Sequence, residues 1–322
     1  MAEIFDTLLL LALPASGKSE VRNYLTHKNP EQFHMGPTAQ LDDYPYVHLQ
    51  VRIDEELEKL GQPRVFHADA TGPFRDPRDY AGLIELLNED YHEFRTGRPE
   101  VIPEGDSAAR RLFERLDAAF VRAGGEERLT KLPADVMSQV AEAIDQEAAE
   151  MFAEKAANCP ESLDGTTIVI EFARGGPLGQ MPLPEFYGYL GSLSCASPEL
   201  LERAAILYVW VTPEESRRKN RARARPGEQG SILFHGTPEP VMLQEYACDD
   251  MELLIGKARK ADTIPIDSHG RSFDIPMARF DNREDKTSFL REDADKWSKE
   301  DIDRIHGGLK EASDRLWKAF KA

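Results

Sequence analysis

The chain has 322 residues, of which 41% are hydrophobic and 30% charged, a balance that excludes a disordered polymer and allows one large α/β domain spanning 1–322 with a sizeable core. Its 40 basic and 58 acidic residues give a formal net charge of −18, a field that repels duplex nucleic acid unless a local basic patch overrides it. Cys159, Cys195 and Cys248 stand apart with no CxxC spacing, which argues against a disulfide framework and a zinc site and predicts a reducing, cytoplasmic setting.

The opening stretch 4–15 imitates a signal peptide, but Glu3 and Asp6 occupy the place of its basic flank and the apolar run is short. No stretch approaches the ~20 apolar residues of a membrane span. Within this opening, the run Leu8 to Leu11 flows into Ala12-Leu13-Pro14-Ala15-Ser16-Gly17-Lys18-Ser19. That order reads as a strand ending in a phosphate-binding loop of pattern GxxxxGK[ST]. In such loops backbone N–H groups face the phosphates, the Lys reaches the β and γ oxygens, and the hydroxyl residue holds Mg²⁺. Gly17, Lys18 and Ser19 match, while Ala12 replaces the first glycine. Residues 19–25 continue as a helix whose N-terminus faces the anion. Leu13, Pro14, Ala15, Ser16, Gly17, Lys18 and Ser19 are therefore the candidate nucleotide-binding residues. The competing reading is an ordinary strand-to-helix turn.

Further along, 32–45 is readable as strand or loop and closes on the acidic pair Asp42-Asp43, positioned to accept a proton from an acceptor hydroxyl or to order a metal. A solvated acidic turn is the plain alternative. A helix is expected over 47–60, ended by Gly61 and Pro63, and a short extra strand over 64–67. Apolar residues recur at helical spacing in 79–94, 107–121 and 134–156. The block 79–158 is read as a helical insertion or substrate-side subdomain, and as the candidate surface for a protein partner.

Strands return as continuous apolar runs over 166–170, ending at Glu171, and 205–211, ending at Thr212; a weaker run at 263–266 contains Pro265. Strands alternating with helices predict a parallel sheet with helices on both faces. Glu171 stands where an acidic residue orients a metal or its water. Thr212 and Glu215 form a capping box with Pro213 at the first helical position. On the ensuing helix Arg218, Arg221 and Arg225 share a face, with Arg217 one turn before Arg221, a crowding of like charge that bound phosphates would offset. Pro226 and Gly227 end this helix, and the stretch 213–247 is read as a lid, with a further helix near Leu243. The tail 298–322 reads as an amphipathic helix with Ile302, Ile305, Leu309 and Leu316 on one stripe. Asp267-Ser268-His269-Gly270 and Asn282-Arg283-Glu284-Asp285 look like GTPase elements, but they sit too close together and are read as chance; the segment after Ile266 is expected to lie near the adenine.

Asp42-Asp43-Tyr44 is similar to the Asp-Asp-aromatic segment of uridine-kinase-like and nicotinamide-riboside-kinase-like enzymes, which implies Asp42 as the favoured base and Asp43 as second. Glu171-Phe172-Ala173-Arg174 resembles the Glu-Arg segment of deoxynucleoside kinases, displaced by one residue. With the loop and the Arg-rich segment, the chain resembles the P-loop nucleoside/nucleotide kinase superfamily over the sheet, though not over the helical block. The resemblance implies a P-loop NTPase-type three-layer fold with an adenylate-kinase-like core. It also implies ATP and Mg²⁺ as cofactors and transfer of the γ-phosphate to a small-molecule acceptor. Lys18 would hold the phosphates, Ser19 and Glu171 the metal, and Arg218, Arg221 and Arg225 the transition-state charge, the acceptor staying unspecified and Asp42, Asp43 and Glu171 all standing as bases. Two other readings remain: a nucleotide-binding regulatory or assembly protein with no acceptor, and a polynucleotide or toxin-like kinase, the latter opposed by the net charge.

Overall fold

Strand β1 (Thr7–Leu11) is buried along its whole length, and its pairing explains its unbroken apolar run. Strand β3 (Thr167–Phe172) hydrogen-bonds to one edge and β4 (Ala204–Trp210) to the other, both parallel, so neither its faces nor its edges meet water. The computed structural model describes residues 4–27, 30–179, 181–223 and 236–322. Strand β2 (Thr38–Asp42) lies outside β3, with alternate residues buried as at a sheet edge. Beyond β4 come β6 (Arg271–Asp281), parallel to it, and β5 (Thr263–Ser268), antiparallel to β6. The sheet order is β2-β3-β1-β4-β6-β5, so the expected mixed α/β architecture with a mainly parallel sheet is what forms.

Helices cover both faces. Alternation along β1 sends Leu8 and Leu10 into a core with α1 (Lys18–His27) and α11 (Lys299–Phe320), where Val21, Tyr24, Ile305, Leu309 and Leu316 meet them. Leu9 and Leu11 enter the opposite core with α3 (Arg78–Thr96), α6 (Gly188–Cys195), α7 (Pro198–Leu201) and α10 (Met251–Gly256). Each buried leucine contributes roughly 1.5–3 kcal/mol, so a polar residue in β1 is poorly tolerated. A third core joins α2 (Tyr44–Lys59), the other face of α3, α4 (Ala108–Arg122) and α5 (Ala134–Asn158). Helix α3 serves two cores: Ile84, Leu87 and Phe94 pack on the sheet, while Leu83 and Leu86 pack in the bundle. Between the helices, the Asp90 carboxylate accepts from Tyr46 Oη at 2.7 Å, Arg115 Nη2 at 2.8 Å and Lys155 Nζ at 2.8 Å.

Two expectations are corrected. No strand forms over 64–67, because the Asp54 carboxylate takes the N–H groups of Val65, Phe66 and His67 at 2.6, 3.0 and 2.8 Å, the donors that a strand neighbour would need. Only the isolated bridge between His67 and Phe74 remains of strand pairing there. The weak final strand does form, within β5, and is one arm of a hairpin in which Asp267 and Ser268 still pair with Ser272 and Arg271 and His269-Gly270, both at positive φ, make the turn. The segment after Ile266 therefore closes an edge hairpin rather than a nucleotide-facing loop. Pro265 sits on the outermost strand, where a missing N–H loses no ladder bond, and Pro276 just precedes Met277, where β6 begins to pair with β4.

Candidate active site

From the carboxyl end of β1 the chain turns through residues 12–17 and enters α1 at Lys18. This turn lies where β3 and β4 diverge to either side of β1, the crevice at which open α/β sheets hold ligands. Ala12 is fully buried and avoids positive φ, so its Cβ is accommodated where the pattern has glycine; the left-handed positions are Ala15 at φ 57° and Gly17 at φ 93°. A Cβ on Gly17 would overlap Thr287 Oγ1 and stand 2.8 Å from Asn282 Nδ2, so only glycine fits. Side chains hold the loop's carbonyls. Ser16 Oγ donates to Leu13 O at 2.6 Å, Ser216 Oγ to Pro14 O at 2.7 Å, and Asn282 Nδ2 to Ser16 O at 2.7 Å. The first helical bond runs from Val21 N to Gly17 O, which leaves the amides of the preceding turn, Lys18 and Ser19 among them, as the unpaired donors of a helix N-terminus.

The acidic residues line up across the same edge. Asp42 on β2 is the register partner of Glu171 on β3, and Glu171 is the partner of Leu10 on β1. Glu171 is buried between Lys18, with Nζ 3.3 Å from Oε2, and Arg22, with Nη1 2.9 Å from Oε1. Asp42 accepts from the Tyr44 amide at 3.0 Å, and its carboxyl is pushed up to about 6. Burial is the main cause, the negative charges of Glu171 and Asp43 add to it, and Lys18 offsets part. Asp43 is placed differently: its Oδ2 accepts from Arg174 Nη1 at 2.6 Å. The Arg174 guanidinium also donates Nε to Ser192 Oγ at 2.9 Å and lies 5.1 Å from the ring centroids of both Tyr80 and Phe172. Geometry thus separates the three carboxylates: Glu171 is neutralised by two cations, Asp43 is committed to one, and Asp42 is held near the pH range of a general base.

For a magnesium ion the protein offers oxygen donors only, Ser19 at the start of α1 and the Glu171 and Asp42 carboxylates across the strand ends. Among the described residues no group of three or more His, Cys, Asp or Glu forms a metal cage. Such a donor set suits Mg²⁺ bound mainly through waters and phosphate oxygens.

The arginine-rich helix α8 (Pro213–Arg223) starts as its capping box predicts, with Glu215 N donating to Thr212 Oγ1 at 3.2 Å. Its arginines do not form a bare cationic face. Arg217 pairs with Glu214 at 3.1 Å, Arg218 with Glu215 at 2.6 Å, and Arg221 with Glu239 on the first turn of α9 (Glu239–Gln244). Local carboxylates thus relieve the repulsion assigned to absent phosphates. Arg225 and 224–235, part of the expected lid, lie outside the described residues. Burial lowers the pKa of Arg223, at the end of α8, against the pull of Glu20 and Tyr44.

Sequence reasoning passed over Arg22 and Thr287, named Arg174 only through the Glu-Arg resemblance without a partner, and set Asn282 aside in a chance motif. Arg22 was findable, four residues after Lys18 on one helix face. Asn282 sits in the segment read as a chance motif, and directly after a clear strand it reaches the loop; Thr287 gave no signal. Comparisons with protein-family models, curated proteins and solved structures give no match. No described helix is long and apolar enough to cross a membrane.

Proposed function

We propose that the chain is an ATP- and Mg²⁺-dependent phosphotransferase of the P-loop nucleoside/nucleotide kinase type, moving the γ-phosphate of ATP to a hydroxyl or phosphate of a small molecule. One observation carries this reading: a GKS loop at the divergence point of the sheet with Asp42 and Glu171 in register on the adjoining strand ends. The N-terminal amides of α1 and Lys18 would hold the β- and γ-phosphates, exchanging Lys18's contact with Glu171 for the anion. Ser19, and Glu171 through a water, would hold Mg²⁺, which would supply charge neutralisation at the transferring group. Asp42 takes the proton of the acceptor hydroxyl as its oxygen bonds to the γ-phosphorus. The bond to the β,γ-bridging oxygen breaks, and ADP leaves with that electron pair. Arg218 and Arg221 would reach the phosphoryl group only after their pairs with Glu215 and Glu239 open, and Arg225 lies outside the described residues.

The same pairs favour a second reading, a nucleotide-binding switch that never closes on an acceptor. ADP release from MgATP with pooled acceptors, run beside Lys18→Ala, decides between them. Stimulation by one pool that is lost in the variant supports the kinase; ATP binding with no pool stimulating release supports the switch.

A further inference from the structure

Alongside α1 the fold leaves a cavity of about 320 Å³, walled on the other side by the segment that follows β6. Glu20, Asn23 and Tyr24, at helical spacing on one face of α1, stand opposite Leu290, Arg291 and Trp297, and His27 extends the helical wall one turn beyond Asn23. The volume falls at the small end of the roughly 300–1,000 Å³ typical of ligand sites. Both walls lead back to the phosphate-binding turn. Asn282 and Thr287, which hold that turn at Ser16 and Gly17, open the segment that runs on to Arg291, and Arg291 pairs with Glu20, two residues after Lys18. Arg223 interacts electrostatically with Glu20 and with Tyr44, so the Glu20 end of the cavity adjoins the strand end that carries Asp42. Asn23 lies five residues beyond Lys18, roughly 8 Å along the helix axis, an interval that an α-phosphate and a ribose can fill.

The lining limits what can enter. The Glu20 carboxylate and the Arg291 guanidinium neutralise each other, and the Tyr24 hydroxyl is engaged with His306 Nδ1 at 3.2 Å, so the cavity favours an uncharged group. The Trp297 indole is fixed by Nε1 donating to Glu292 O at 3.0 Å and by edge-on packing against Phe289, and with Leu290 it gives a surface for a flat ring. The exposed Asn23 side chain adds a carboxamide, a donor and an acceptor side by side. That pair matches the N6 donor and N7 acceptor of adenine, whereas guanine presents two acceptors on the same edge. A carboxylate could take guanine's other donors, but the one in the wall is committed to Arg291.

We infer that the base of the nucleotide occupies this cavity, stacked on Trp297, and that Asn23 selects adenine over guanine. This rests on the kinase reading above. It sets the base against the segment 290–297 and the flank of α1, and away from the β5–β6 hairpin.

The test titrates MgATP, MgGTP and magnesium tripolyphosphate, which has the phosphates without the base, into wild type, Lys18→Ala, Asn23→Ala and Trp297→Leu by calorimetry. Wild type should prefer ATP to GTP by roughly tenfold, the discrimination of one bidentate pair. Asn23→Ala should weaken ATP by about the same factor and bring the two nucleotides together, while Trp297→Leu should weaken both roughly tenfold through lost stacking. Tripolyphosphate should bind wild type and these two variants alike. Asn23 is exposed on a helix, where alanine is favoured, so Asn23→Ala should keep or raise Tm and the test stays valid if Trp297→Leu fails to fold. Equal affinity of wild type for ATP and GTP, an unchanged ATP affinity in Asn23→Ala, or an equal loss of tripolyphosphate in that variant overturns the inference, and Lys18-dependent binding leaves the kinase reading standing. If none of the three ligands binds in a Lys18-dependent way, both fall.

Discussion

At the residue scale the weight falls on Asp42, whose ionised form the fold disfavours. Its folded pKa of about 6 exceeds the ordinary carboxylate value of 3.8, so the folded state binds more protons between these values and Asp42 lowers stability as pH rises through that window. Asp42→Asn should therefore be more stable than wild type at pH 8, on the order of 1 kcal/mol, as measured by urea unfolding, while losing acceptor-dependent turnover. The same shift predicts that kcat/KM for the acceptor rises with pH through about 6, since the base acts only when ionised. A flat pH–rate profile from pH 5 to 8 would remove Asp42 from that role. Gly17→Ala should fail differently, because its Cβ collides with Thr287 and drives the 282–287 segment off the loop, giving loss of ATP binding by calorimetry. Lys18, Ser19 and the acidic pair were legible because their chemistry is local in sequence. The contacts of Arg174 and Asn282 were not, for their partners lie 131 and 266 residues away.

At the element scale, continuous apolar runs announced β1, β3 and β4, and the capping box announced α8. Strand β6 escaped because half of it lies beyond β4 and its burial is irregular, so no period-2 pattern survives. The α8 arginines were read as phosphate-seeking since a single sequence does not reveal that Glu215 and Glu239 are turned toward them. Their exposure gives a clean prediction. Arg221 is 64% exposed in its pair with Glu239, so Arg221→Ala should leave Tm unchanged. If α8 closes on the transferring group, the same variant lowers kcat far more than ATP affinity; equal losses in both would make it a ground-state anchor.

Across the whole molecule, α3 ties the helical bundle to the sheet by packing into both cores, which makes independent unfolding of the block 79–158 unfavourable. Thermal unfolding should then be one transition by both far-UV and near-UV signals. Asp90→Asn leaves Arg115 and Lys155 buried with weakened pairing and should lower stability by about 3 kcal/mol, with bundle and sheet still melting together. The helices of this block were legible from their periodicity, whereas the charged centre that locks them was not: Asp90 looks like any polar residue on a helix until α4 and α5 close over it.

The proposed transfer needs Asp42 to act beside the loop that carries Lys18. Acceptor-stimulated ADP release, with ATP binding measured by calorimetry alongside, tests this most directly in wild type, Lys18→Ala and Asp42→Asn. Loss of stimulation in both variants, with ATP binding lost in Lys18→Ala and kept in Asp42→Asn, is the predicted result. Undiminished stimulation in Asp42→Asn would contradict it.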